Sequence, residues 1–485
     1  MTQIGELAEI VASQNVSEEP EVLAEYSKDQ SFAHPVNPQY VVKPQNTEQV
    51  QRIVQWANEA GVPIIPVSSG PPHFRGDTVP SLSGMVVDLS GMKRIINISR
   101  PERVAMVEPG VTFGELQEAL EKEGLRVSMP LSPRQSKSVM GSYLEREPIT
   151  IPKYHIDASE PLLCLEVIYG SGDLFRTGDA AGPGTIEEQW KVGRFQKFHI
   201  GPGQVGFAKL IQGSQGTMGV ATWASIRCEI LPQIQKLLFM TAQSPERLIE
   251  LTYWLLRLRL GDECLLLNNQ DLACLLAGDS DVGNLKQTLP PWVLILCLAG
   301  YEISPEERIS YQEKDVTDLA RQHGLIPTSA IPGASAKEIL DILKKPSREP
   351  YWKLRYKGGC HDIFFLTTMD RVPQFIKAMY EIANNHQYPS TDIGIYVQPI
   401  QQGRGCHCEF SLPCDPSNPR EVEQVRELFM SASDALIKMG GFFSRPYGPW
   451  ADMVYNRNAA AKEAIRKVKS IFDPNNIMNP GKLCF

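Results

Sequence analysis

Residues 68–80 read SSGPPHFRGDTVP, a loop with two glycines, three prolines, a histidine and an arginine between two apolar runs. Such a loop suits an anion. Successive peptide N–H groups around glycine form a concavity for phosphate oxygens, and glycine lets the backbone approach closely. The same composition also describes a surface turn, and the loop alone leaves both readings open. Cys406-His407-Cys408 with Cys414 offers metal-ligand residue types, but neighbouring strand residues point to opposite faces, so the three cannot converge on one ion. No Cys-x-x-Cys pair signals a zinc ribbon or an iron–sulfur cluster. GPGQVG at 201–206 matches a dinucleotide fingerprint, but Pro202 sits inside the turn and the glycine-broken sequence after it does not open a helix. It reads as a turn.

The elements that must position these residues are short. Ile64–Val67 precedes the loop and Met85–Leu89 follows it. Val50, Ile53, Val54 and Ala57 repeat at helical spacing, and Gly61 is placed to stop that helix. Strands are predicted at 84–89 and 103–107. Thr112 and Glu115 form a capping-box pattern. Residues 162–177 read as a hairpin with its turn at Gly170–Asp173, and strands are expected to dominate from there to Leu231. Beyond residue 233 the rhythm becomes strand, helix, strand, helix, with Ser244-Pro245 and Ser304-Pro305 as helix entries. After a linker at Lys344–Pro350 a second such round runs over 361–440. Two similar sets predict helices packed on an antiparallel sheet, an α+β arrangement. A last helix carries Ile465, Val468 and Phe472 and is stopped by Asp-Pro and Asn-Pro steps.

The 485 residues suffice for two or more domains, and 42% hydrophobic with 21% charged residues is ordinary globular composition. A net charge of −8 argues against nucleic acid as the main partner. No run approaches the roughly 20 apolar residues of a membrane span. The first 22 residues carry neither a basic nor an apolar signal region, which points to a cytoplasmic protein. The ten cysteines, several inside apolar runs, read as buried free thiols.

Four stretches in order, SSGPPHFRGDTVP, MVEPGVTFGEL (106–116), GSQGTMGVAT (213–222) and FDPNNIMNPGK (472–482), resemble the FAD-binding oxidoreductases of the vanillyl-alcohol oxidase and para-cresol methylhydroxylase superfamily. The resemblance runs from about Pro35 to Lys482. It implies an N-terminal extension (1–34), an FAD-binding domain built from both chain ends (35–233 and 444–485) and a ferredoxin-like antiparallel-sheet cap (234–443). It implies a diphosphate cradle from Ser68, Ser69 and Gly70, with Gly76 and Thr78 closing the turn and Pro71 and His73 also cofactor-binding, although Pro71 and Pro72 remove two N–H donors. Other contacts to the dinucleotide would come from Pro109, Val111, Gly141, Gly213, Gly216, Thr217, Gly219, Val220, Asn479 and Lys482. His361, in GGCHDIFF, stands where some members attach the flavin covalently; the alternative is a packed histidine. In spacing the chain is closer to the phenol-oxidising branch. Where the metal-dependent D-2-hydroxyacid dehydrogenases carry a histidine-rich strand, QPIQQGRGCHCEF keeps only His407, so no catalytic metal is expected.

The resemblance also suggests a catalytic set. Glu145 stands at an acidic active-site position and is the candidate base. Arg75 and Arg445 stand where the phenol oxidases place a phenol-binding tyrosine and a phenolate-binding arginine, and Ser444 replaces a second tyrosine. Paired guanidinium groups suit an anionic substrate. His407 and Arg404 are expected on the far wall, with Tyr447 as an aromatic face. The expected activity is hydride transfer to flavin N5 from a para-substituted phenol or from an aromatic or hydroxy acid alcohol. The alternatives are a metal-free D-2-hydroxyacid dehydrogenase, or a flavin-carrying electron-transfer subunit. Expected partners are a small anionic substrate and an electron-acceptor protein, within a homodimer or a larger complex.

Overall fold

In the computed structural model, which describes residues 2–153, 161–194, 196–201, 206–278 and 281–485, the two chain ends meet at one small sheet. Strands β1 (Val16–Ser17), β2 (Tyr40–Val42), β3 (Ile64–Val67) and β4 (Met85–Asp88) lie in the order β1-β2-β4-β3, the last three parallel. Helix Thr47–Ala60 makes the crossover. Asn46 caps it by accepting from the Gln49 N–H, and Gly61 ends it at φ +65°. The C-terminal segment extends the β3 edge: Ile64 N–H donates to Ile477 O (2.7 Å), and Asn479 N–H donates to Ile64 O (2.8 Å). Asp473 holds that return in shape, accepting from the Ile477 and Met478 N–H groups and from Lys469 Nζ. The FDPNNIMNPGK motif therefore closes the fold.

A second sheet is antiparallel. Its strands are β5 (Ile95–Ser99), β6 (Val104–Val107), β7 (Leu125–Val127), β8 (Leu162–Tyr169), β9 (Leu174–Arg176) and β10 (Gly219–Ile230). The long β10 pairs with β6, β7 and β8. The Thr112–Glu115 capping box is present at the start of helix Phe113–Glu121. The stretch between β9 and β10 departs from the expectation that strands dominate there. It holds a helical turn at Gly178–Ala181 and helices Ile186–Lys191 and Ala208–Ile211, the first helix opened by a Thr185–Glu188 capping box. Residues 202–205 of the GPGQVG stretch lie outside the described residues.

The central part of the chain forms a six-stranded antiparallel sheet from β11 (Ile234–Ala242), β12 (Cys264–Asn268), β13 (Trp292–Gly300), β16 (Gly359–Thr367), β17 (Gly394–Ile400) and β18 (Gly405–Cys414). A two-residue pair, β14 (Ala330–Ile331) and β15 (Ala334–Ser335), lies apart. The strand order β11-β13-β12-β17-β18-β16 is a palindrome of the two sets, each laid down first, third, second, with the two second strands meeting at the centre. Helices Glu246–Arg257, Pro305–Gln322, Val372–Asn385 and Pro419–Lys438 share one apolar core on one face. The Ser-Pro entries differ from expectation: Pro245 itself takes the N-cap position, and Ser304 makes no side-chain cap bond. On the other face a second core fills the β11–β13 half, leaving the β16–β18 half to bound a cavity. Among the described residues no helix is long and apolar enough to cross a membrane.

Candidate active site

The loop after β3, the segment 128–138 before helix Val139–Leu144, and the open face of β16–β18 enclose a cavity of about 140 Å³. Its wall carries five cations (Arg75, Arg134, Lys137, Lys353, Arg445) and five carboxylates (Asp77, Glu145, Glu147, Asp362, Glu409). Buried charge is costly unless paired, so the pairing decides what the cavity can do. Lys137 lies 2.8 Å from Glu145 and 3.5 Å from Glu147, and Arg75 lies 3.8 and 3.4 Å from the same two. Burial opposes the charge of Glu147, but Lys137, Arg75 and a 2.7 Å hydrogen bond from Ser142 bring its carboxyl down to about 2. Lys353 bridges Asp362 and Glu409. Three cations and four carboxylates are thus matched.

Arg445 and Arg134 differ. No carboxylate pairs with either among the described residues, and burial pushes both guanidinium groups below their usual range, for Arg445 with help from Arg75. Arg445 is 4% exposed, lies over the Phe364 ring at 4.2 Å, and has a buried Nη1 with no partner. Arg75 lies over the same ring at 4.4 Å. The Arg445 Nη2 stands 3.4 Å from His407 Nδ1. A guanidinium can only donate, so Nδ1 accepts, and the His407 proton sits on Nε2, 3.1 Å from Glu409 Oε2. Burial lowers the His407 pKa in spite of Glu409, keeping the ring neutral in this tautomer. The chain Asp362–Lys353–Glu409–His407 thereby holds Arg445 in place. On the opposite wall Glu145 Oε2 is buried and accepts no hydrogen bond.

A second cleft of about 100 Å³ adjoins the first and shares Pro66, Ser68, Asp77 and Glu145 with it. Gly141, Gly213, Gly216, Gly219 and Val220 line it. Gly216 has φ +73°, and a Cβ there would stand 2.5 Å from Pro66 Cγ; a Cβ on Gly141 would come within 2.8 Å of Ser68 Oγ. A cleft with glycines along its wall, joined to a charged cavity, fits a dinucleotide.

The structure brings together most residues expected from the sequence. Ser68, Ser69, His73, Arg75, Thr78, Glu145, His407 and Arg445 line the charged cavity. Tyr447 lines the glycine-walled cleft and, with Gly76, His361 and Lys482, a neighbouring aromatic cavity of about 250 Å³. Ser444 joins Arg445 in a further cavity of about 260 Å³ walled by Ile149, Pro399 and Ile400. Others stand behind the wall. Pro109 and Val111 carbonyls accept from the Ser138 Oγ and the Val139 N–H, steadying the helix start. Thr217 donates from Oγ1 to Ser214 O, and its own carbonyl accepts from Lys469. Asn479 ties the Asp77 carbonyl to the Gln215 carbonyl. Arg404 is exposed and lines none of these cavities.

Two placements bear on the sequence reading. Two of the loop's peptide donors are engaged within the chain, Gly70 N–H on Ser136 O (3.0 Å) and Gly76 N–H on Asp29 (2.7 Å), and Pro71 and Pro72 have none. Strand alternation puts His361 on the face of β16 shared with Ile363 and Phe365, opposite Asp362 and Phe364. Its ring stacks on Phe32 at 3.9 Å and 13°. The sequence reading missed Arg134, Lys137, Glu147, Lys353, Asp362 and Glu409. The expected linker Lys344–Pro350 docks through the Ser347 N–H on Pro133 O and delivers Tyr351–Lys353 to the cavity. The signal available was a Lys beside Ser or Trp, Lys137 in SPRQSKS and Lys353 in YWKLR. Among the described residues no three His, Cys, Asp or Glu side chains form a metal-holding group.

Residues 38–178 match the family model of a FAD binding domain, and residues 285–483 match that of the C-terminal domain of FAD linked oxidases. The chain is 24% identical to a glycolate oxidase subunit of Bacillus subtilis over 94% of this chain and 91% of that one. It is also 24% identical to the 4-cresol dehydrogenase (hydroxylating) flavoprotein subunit of Pseudomonas putida, over 98% and 93%. The crystal structure of p-cresol methylhydroxylase with substrate bound superposes with a TM-score of 0.84 at 19% identity, covering all of this chain and 96% of that one. The fold is shared with that enzyme.

Proposed function

Since the chain belongs to the FAD-linked oxidases, carrying their FAD-binding and C-terminal domains in order, we propose that it oxidises a small anionic molecule, a para-substituted phenol or an aromatic or hydroxy acid alcohol, by hydride transfer to FAD. One observation carries this reading: the cavity holds a buried donor and a buried acceptor that make no hydrogen bond among the described residues, Arg445 Nη1 and Glu145 Oε2. Unsatisfied buried groups are costly, and a substrate that presents an anion to one and a hydroxyl to the other removes both penalties. Arg445, fixed by His407 and backed by Phe364, holds the carboxylate or phenolate, with Arg75 beside it. Glu145 takes the hydroxyl proton at Oε2. Glu147, held near its usual charge by Lys137 and Arg75, stays an anion and keeps Arg75 in place. Bound FAD supplies the hydride acceptor, its N5. The glycine-walled cleft and the Ser68–Thr78 wall fit the cofactor, and Gly141, Gly213, Gly216 and Gly219 would face it.

The named relatives suggest two chemistries to compare, glycolate and 4-cresol oxidation. Both are also named as subunits, which supports a protein acceptor for the electrons. The test is anaerobic addition of glycolate, ethylene glycol, 4-hydroxybenzyl alcohol and benzyl alcohol to the purified holoprotein, reading loss of the flavin absorbance. Bleaching by glycolate or 4-hydroxybenzyl alcohol, and not by its uncharged or unsubstituted counterpart, is expected. Equal bleaching within both pairs would sink the anion reading. No bleaching by any small molecule, in a flavin that dithionite still reduces, would support the electron-transfer subunit instead.

A further inference from the structure

We propose that the aromatic cavity beyond Arg75 is a second ligand site, separate from the charged cavity, and that it takes a single-ring aromatic acid. Such a site is independent of the substrate and of the hydride transfer proposed above. The cavity measures about 250 Å³ and is assembled from distant parts of the chain. Phe32 comes from the N-terminal extension, Phe74 from the loop after β3, Phe364 from β16, Phe429 from helix Pro419–Lys438, and Tyr447 and Trp450 from the C-terminal segment. An apolar cavity of roughly 150 Å³ is enough to hold benzene. The wall rings are braced on one another: Phe429 and Trp450 stack at 5.2 Å and 11°, and Trp450 meets Phe364 edge-on at 5.0 Å. Trp450 Nε1 donates away to Ser433 Oγ (2.8 Å), so its polar end is already answered.

Among the described residues this cavity shares only Phe74, Arg75 and Asp362 with the charged cavity, and only Tyr447 with the glycine-walled cleft. Arg75 is the partition. Glu145 and Glu147 hold it from the charged side, and its guanidinium carbon lies 4.4 Å from the Phe364 ring centroid and 5.3 Å from that of Tyr447. An aromatic cage can also take a cation, so the charge of the wall decides which sign of ligand fits. Arg75 is matched by its two carboxylates, and Asp362 by Lys353. His361 is kept neutral, since burial holds its pKa down at about 4. Lys482 remains. Its ammonium makes no hydrogen bond or ion pair among the described residues; Asp77 and Asp29 act on it only from a distance, and burial works against its charge. Asp29 is itself answered by the Ser31 and Gly76 N–H groups. Lys482 lines neither the charged cavity nor the cleft, so its charge is not used there. One unmatched positive charge on an aromatic wall suits one negative charge on an aromatic ligand, whereas a cationic ring would meet both Lys482 and Arg75. His34, exposed on the same wall, puts the cavity within reach of solvent.

The test is titration calorimetry of the FAD-loaded Arg445→Met protein with benzoate, benzyl alcohol and benzylammonium, because that variant removes the anion holder of the charged cavity. One benzoate per chain is expected, with benzyl alcohol about tenfold weaker, the worth of a charged hydrogen bond, and benzylammonium weaker still. Adding Lys482→Met should weaken benzoate by the same factor and leave benzyl alcohol unchanged. Adding Ala33→Phe instead, which puts a ring on the cavity wall, should abolish binding of all three. Where Ala33→Phe no longer holds flavin, the Lys482→Met result alone decides. No benzoate bound by the Arg445→Met protein overturns the proposal. So does benzylammonium binding as tightly as benzoate, or benzoate binding that Lys482→Met leaves unchanged. Bleaching of the flavin by the substrates above is read on the wild type, so failure of either reading leaves the other standing.

Discussion

Two clusters of buried charge join the second sheet to the cap, and they are built on opposite rules. In one, Arg126 on β7 donates to Glu263 (2.6 Å) and Asp262 (2.7 Å), Lys153 lies 2.8 Å from Asp262, and Tyr301 OH donates to the same carboxylate. Its residues line none of the described cavities, and Arg126 is 7% exposed. In the other, around Arg75, Lys137, Lys353 and their carboxylates, the pairs surround open space and Arg445 and Arg134 are left over. The difference teaches how to tell a clamp from a site. A cluster with cation and anion matched and no room holds the parts together, whereas one with an unmatched cation beside a cavity is completed by a ligand.

The largest effect should separate the two. Arg126→Met leaves Glu263 buried without its cation and Asp262 with Lys153 alone, which costs about 3–5 kcal/mol. A clear fall in the urea midpoint, with the flavin spectrum of the surviving folded protein unchanged, is expected. A variant as stable as the wild type would remove the clamp from the comparison. Arg445→Met is expected to do the reverse. Removing an unpaired buried cation should leave the midpoint the same or raise it, while affinity for an anionic substrate falls about tenfold to a hundredfold, the worth of a charged hydrogen bond. If Arg445→Met lowers the midpoint as much as Arg126→Met, the two clusters are the same kind of object and the distinction fails.

Acid sharpens the contrast at smaller scale, because the site holds groups with shifted pKa. His73, buried beside Arg134 and Lys137, is pushed down from 6.5 to about 3. Its folded pKa is depressed, so the unfolded chain takes the proton first. The stability it contributes is present above pH 6.5 and is lost as pH falls toward 3. Glu147, depressed to about 2, adds a further loss below 4.5. Asp77 works the other way: raised to about 6, it gives stability below 3.8 that is lost as pH rises through 6. Urea midpoints measured from pH 7 to 4.5 should fall less steeply for His73→Asn than for the wild type. Identical slopes would mean that His73 is not held neutral between its two cations.

How much of this could be read from the chain follows from what each feature depends on. Helix Thr47–Ala60, the Thr112–Glu115 box and the two strand–helix rounds rest on local spacing, and all are present. The loop, Glu145, His407 and Arg445 were legible as a set because four short motifs recur in order. The charge balance was not legible. Whether a guanidinium is matched depends on which carboxylates the fold brings to it, and Lys353 reaches Glu409 across 56 positions of chain. The palindromic cap also hides its role, since the strand that carries Asp362 into the cavity sends its neighbour His361 to the opposite face.

That last pair gives the smallest predicted effect. The covalent reading of His361 rests on sequence setting alone, and one residue of register separates it from the cavity-facing position. Burial lowers the His361 pKa to about 4, and its ring is stacked on Phe32 in the neighbouring aromatic cavity. The flavin should therefore leave with the supernatant when the holoprotein is precipitated with acid. His361→Ala should retain the wild-type flavin content and lose only the packing against Phe32. Flavin left in the pellet of the wild type, and released in His361→Ala, would mean that β16 presents the histidine and not Asp362 to the cofactor. It would also move Asp362 and Lys353 out of the chain that fixes Arg445, and the matched half of the site would have to be redrawn with them.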